Sequence, residues 1–118
     1  MTTQNLKTFV KNSNVDWESA GEGIRRKILG YDAGLMLVLV EFQAGAIGHV
    51  HQHPHRQVSY VVEGSFEVEI DDQKQILQQG DSFFVPSESP HGAVALEPGI
   101  LIDTFAPMRE DYVPNGQS

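Results

Sequence analysis

Four of the five histidines fall in one stretch, Gly45 to Gly64, which reads GAIGHVHQHPHRQVSYVVEG. His49, His51, His53 and His55 occupy alternate positions in it. Alternate side chains of an extended strand share a face, so a strand carrying His51 and His53 aims two imidazoles into one space. Neutral imidazole is the commonest metal ligand among side chains. A lone His-x-His pair is often only a surface strand, but four alternating histidines point to a metal site that other strands enclose. The chain has no cysteine, which excludes a thiolate site, a disulfide framework and a cysteine nucleophile. Any metal must be held by nitrogen and oxygen.

The elements that must position these groups are short strands. Arg25 to Leu29, a turn over residues 30–34, and Leu35 to Phe42 read as a hairpin, and Val15 to Trp17 as a short strand before it. The near-continuous apolar run LMLVLVEF predicts a strand covered on both faces. Val58 to Val62, Phe66 to Ile70, Gln73 to Leu77, Ser82 to Val85, His91 to Leu96 and Ile100 to Phe105 complete the set, separated by Gly, Pro and Asp turns. No window of helical length keeps apolar residues at 3.6 spacing, so the chain reads as an all-β sandwich or barrel. Its 118 residues suit one domain, with an arm at 1–14, a body at 15–112 and a tail at 113–118. Phe83, Phe84, Tyr60 and Phe66 read as core and sheet residues.

Eight basic against sixteen acidic residues give a formal net charge of −8, which disfavours nucleic acid and anionic membranes as partners. An anionic small molecule is compatible if its pocket is locally positive. The first residues lack the apolar core of a signal peptide, and the longest apolar run is too short to span a bilayer, so the expected location is cytoplasmic.

Two segments fit together by spacing. The first is Gly45, His51-x-His53, Gln57 and Gly64; the second is Gly80, Pro86 and His91. They resemble the two motifs of the cupin superfamily, a small β-barrel of jelly-roll type. In that family the first motif supplies two His and a Glu, the second supplies a His, and together they hold one metal. Gln57 stands where Glu is usual, and Glu88 where Gly is usual. An amide ligand is neutral, so a divalent ion would keep its full charge, a better Lewis acid and a poorer redox centre. With HQHPHRQVSYVVEG, SPHGAVALEPG and DTFAPMREDY taken together, the chain is similar to the KdgF group of cupins, enzymes of pectin and alginate breakdown.

That resemblance implies four metal ligands, His51, His53, Gln57 and His91, for one divalent ion: nickel, zinc, iron, manganese or cobalt. It also implies a catalytic trio of Asp103, Phe105 and Arg109. Asp103 would handle protons, Phe105 would wall the site, and Arg109 would bind a carboxylate. The implied reaction opens the ring of 4,5-unsaturated uronate monosaccharides to their linear keto forms. The implied partners are a small anionic sugar and, since single-domain cupins commonly pair, a second copy of the chain. Two other functions fit a small cupin: a metal-dependent dioxygenase, and a sugar-binding module without turnover. His49 is expected at the rim or in the core, and His55 at the pocket mouth.

Overall fold

The computed structural model describes residues 7–113, so the first part of the expected arm and nearly all of the expected tail lie outside the described residues. Ten strands form two antiparallel sheets. They are β1 (Glu18–Gly21), β2 (Ile24–Asp32), β3 (Leu35–Phe42), β4 (Ile47–His51), β5 (Arg56–Glu63), β6 (Ser65–Ile70), β7 (Gln73–Gln78), β8 (Ser82–Val85), β9 (His91–Ala95) and β10 (Gly99–Ala106). The order is β1-β2-β3-β10-β5-β8 in the larger sheet and β4-β9-β6-β7 in the smaller. This is the all-β jelly-roll barrel expected from the sequence. Among the described residues no helix is long and apolar enough to cross a membrane.

Alternation decides the core. In β3 the inward Met36, Val38, Val40 and Phe42 are buried, and the outward Leu37, Leu39 and Glu41 are only half-buried. The apolar run LMLVLVEF is therefore covered on one face, not two. From the opposite sheet Phe66 and Val68 close the core, with the Phe66 ring edge-on to Phe42 at 5.1 Å between centroids. Gly99 makes room for that ring, since a Cβ there would meet Phe66 Cζ at 2.6 Å.

Register then divides the interior in two. Across β10 and β5, Leu101 faces Val61, Asp103 faces Ser59 and Phe105 faces Gln57. One end of this face is apolar and the other carries the chemistry. In the smaller sheet His51 of β4 pairs with His91 of β9, past a bulge after Gly48. Gly92 permits the close approach, because a Cβ there would lie 2.7 Å from Gly48 O. Each sheet thus delivers part of one site.

Two details differ from the sequence expectation. The strand predicted at Val15 to Trp17 begins at Glu18 instead, and Trp17 is half-buried under the cations Arg25 and Lys27, at 4.1 and 4.8 Å from its ring. Past Pro107, where the sequence offered no element, a one-turn 3-10 helix at Glu110–Tyr112 folds back over the barrel mouth.

Candidate metal centre

The alternating-histidine reading holds only in part. β4 ends at His51, and His53 lies in the loop that leads into β5. The imidazoles nonetheless converge, because loop and strand turn inward over the same space. Ligand nitrogens of His51, His53 and His91 all lie within 4.8 Å of one another. His53 and His91 are buried, and His51 forms the exposed side of the cluster.

One local device orients all three rings. The Nδ1–H of His51 donates to the His49 carbonyl at 2.9 Å, that of His53 to the His55 carbonyl at 3.0 Å, and that of His91 to the Ser89 carbonyl at 2.8 Å. A backbone acceptor on Nδ1 leaves Nε2 as the bare lone pair, the tautomer a metal needs. Burial holds the His91 imidazole down to about 4, with the charges of its histidine neighbours and Arg109 acting in the same direction. Burial and Arg109 lower His53 as well. Both are neutral at physiological pH.

Gln57 joins through its oxygen. Its Nε2 donates to Ser59 Oγ at 2.9 Å, which turns Oε1 toward His53 Nε2 at 3.2 Å. Both of these atoms are acceptors, with no proton to share. The buried His91 Nε2 has no hydrogen-bond partner among the described residues. Orphaned lone pairs and facing acceptors are what a cation between them would satisfy. The residues present therefore fit a divalent ion.

Ser59, not singled out in the sequence reading, is the hinge of the site. While accepting from Gln57 it donates to Asp103 Oδ1 at 2.6 Å. Its sequence signal was weak: only its place two residues after Gln57, on the same strand face. Burial raises the Asp103 carboxyl to about 6, against the lowering effects of Ser59 and Arg109. A carboxyl tuned to that range is suited to take and return protons near neutrality.

Phe105 is buried, edge-on to His53 at 5.7 Å and to Tyr112 at 5.8 Å. Arg109 is also buried, so it is not a surface cation. It stacks near Phe105 and Tyr112 and donates Nε and Nη2 to the two carboxylate oxygens of Asp111, at 3.1 and 3.0 Å. A chamber of about 90 Å³ is bordered by His51, Gln57, His91, Asp103, Phe105 and Arg109. Structure thus gathers in one place all seven residues singled out as ligands or catalytic groups. His49 stays exposed at the rim. His55 is buried and does not border the chamber; its Nε2 meets Glu110 Oε1 at 2.7 Å and fastens the 3-10 turn that follows Arg109.

Residues 38–105 match the family model described as a cupin domain, Cupin_2. The chain is 44% identical over 110 residues to the pectin degradation protein KdgF of Dickeya dadantii, covering 92% of this chain and all of that one. The structure of KdgF from Halomonas is similar with a TM-score of 0.87 and 46% identity, covering 91% of this chain and 99% of that one. An RmlC-like cupin from Shewanella frigidimarina is similar with a TM-score of 0.88 and 50% identity, covering 91% and 96%.

Two outcomes follow from this geometry. Ser59→Ala frees the Gln57 amide to rotate and should weaken metal binding roughly tenfold, the lower end for loss of a group that orients a ligand; competition with a chromophoric chelator measures it. Asp103 has a folded value raised above its unfolded one, so its ionisation opposes folding. That cost is absent below about pH 4, grows as pH rises and is complete above about 6. In chelator-treated protein, Asp103→Asn should therefore be more stable than wild type by about 3 kcal/mol at pH 7.5, with the difference fading toward pH 4, as read by urea unfolding.

Proposed function

The chain belongs to the cupin family and, within it, to the KdgF proteins of pectin degradation, and from that premise we propose that it is an enzyme opening the ring of 4,5-unsaturated uronate monosaccharides. The observation that carries the reading is the buried Asp103 carboxyl, raised to about 6 and held beside three imidazoles, an amide oxygen and an arginine. The reaction is an isomerisation. The C1 hydroxyl proton leaves, the bond from C1 to the ring oxygen breaks, and its electrons pass to that oxygen as an enol. Protonation at C4 then converts the enol into the C5 ketone. No atoms are gained or lost.

Asp103 accepts the C1 hydroxyl proton and returns a proton at C4, and Ser59 keeps its carboxyl turned inward. Arg109 binds the substrate carboxylate in competition with Asp111, which holds its Nε and Nη2. Phe105 keeps one wall apolar and excludes water. The proposed ligands of one divalent ion are His51, His53, Gln57 and His91; zinc, nickel, iron, manganese and cobalt suit this donor set. When bound, the ion supplies Lewis-acid polarisation of a sugar oxygen. The neutral Gln57 favours that use over oxygen chemistry, where an anionic ligand would help hold a higher oxidation state.

We also propose a homodimer through the outer face of the larger sheet. Val58, Tyr60 and Phe84 are about half exposed there; Tyr60 is in register with Ile102 and, through it, Leu39, and Val58 is in register with Phe84. A contiguous apolar patch of this kind marks an interface. Sedimentation should show a dimer that Tyr60→Arg converts to monomer; a monomeric wild type rejects it.

The activity test is the enol-ether absorbance of lyase-generated unsaturated galacturonate. Purified protein should accelerate its decay, chelation should abolish the acceleration, and Asp103→Asn with metal retained should lower turnover at least a hundredfold. Unaltered decay, with either pectin- or alginate-derived monosaccharide, would sink the proposal.

A further inference from the structure

Outside the metal chamber lies a larger cavity of about 710 Å³, bordered among others by Arg26, His49, His51, Arg109, Asp111 and Tyr112. His51, Arg109 and Tyr112 border both spaces, so the cavity is the vestibule of the chamber. Its size falls within the range of organic ligand sites and exceeds what one monosaccharide, already partly held in the chamber, would need.

The vestibule holds a second cation. Arg26 of β2 is four-fifths buried at its side chain, and its guanidinium stands 3.7 Å from the centre of the Tyr112 ring. Arg109 stands 4.4 Å from the centre of the same ring. Their separation therefore cannot exceed the sum of those two distances, so one ligand larger than a single sugar can reach both. Arg26 donates Nε to Glu18 at 2.7 Å, and among the described residues neither Nη group makes a hydrogen bond. Two acids also border the cavity, Glu22 and Asp111, of which Asp111 is held by Arg109. In a chain of net charge −8, two arginines share one ring at the mouth of one cavity, and each is held by a single carboxylate, Arg26 by Glu18 and Arg109 by Asp111.

We propose that the vestibule is a second uronate subsite in which Arg26 takes the carboxylate of the adjoining sugar of a disaccharide. This rests on the function proposed above. Tyr112 is the shared platform: its ring carries and fixes both guanidinium groups. A disaccharide bound here is not turned over, because C1 of its first ring is in a glycosidic bond and has no hydroxyl proton to lose. It occupies the chamber and vestibule together and excludes the monosaccharide.

Titration calorimetry of the metal-loaded protein tests this with saturated digalacturonate and galacturonate as probes. Digalacturonate should bind wild type about tenfold tighter than galacturonate. Arg26→Gln should remove that advantage and leave galacturonate binding within twofold. Equal affinity of the two sugars for wild type overturns the subsite, as does an equal loss for both in Arg26→Gln. If Arg26→Gln does not fold, Glu18→Gln takes its place: releasing Arg26 should tighten digalacturonate alone about threefold, and no change counts against the proposal. These affinities are read without turnover, so a failure of the ring-opening activity is seen separately, in the decay of the unsaturated monosaccharide.

Discussion

Ser59 Oγ accepts a hydrogen bond from the Gln57 amide and donates one to Asp103, and this pair of bonds decides which way two chemically different groups face. The first bond turns an amide oxygen toward the imidazoles. The second keeps a buried carboxyl aimed into the chamber at a position where its charge is disfavoured. A hydroxyl can do both because it is donor and acceptor at once. Remove it and the amide has no reason to present oxygen rather than nitrogen. Backbone carbonyls of β4 and of the loops before β5 and β9 make the matching decision, and they fix three imidazoles in one tautomer. Two sheets thus meet with their lone pairs already directed.

The fold was legible because its signals are local. Alternation in Phe66 to Ile70, the Asp71-Asp72 turn and the stop at Pro86 each mark a strand boundary, and the observed strands agree within a residue or two. Asp71 and Asp72 both have positive φ, which is why two short polar residues close that hairpin. LMLVLVEF misled because an apolar sequence tells nothing of what covers its outer face. Leu37 and Leu39 are apolar without being interior.

The site was legible where motif spacing carried it and silent where it depended on tertiary contact. His51, His53, Gln57 and His91 follow from spacing together with family resemblance. Ser59, Arg26 and Tyr112 do not. A serine in a strand, an arginine on a hairpin and a tyrosine near the end of the chain have no local signature. They matter only because β10, β5, β2 and the terminal 3-10 turn are brought to one mouth. His55, expected at the pocket mouth, shares the spacing of the ligands, yet its ring turns away to Glu110, fifty-five residues later in the chain.

The register of β5 against β10 has a consequence for quality control. Phe105 sits opposite Gln57, and Asp103 opposite Ser59, on the same inner face that buries Leu101 and Val61. A slip of β5 by one residue would turn every one of its side chains over. Val58 and Tyr60 would enter the barrel, while Gln57 and Ser59 would face water. Such a chain would lose its core and its metal grip in a single event. A copy with this slip therefore cannot persist as a stable impostor with a damaged site: the alignment of β5 that makes the protein durable is the same alignment that makes it competent.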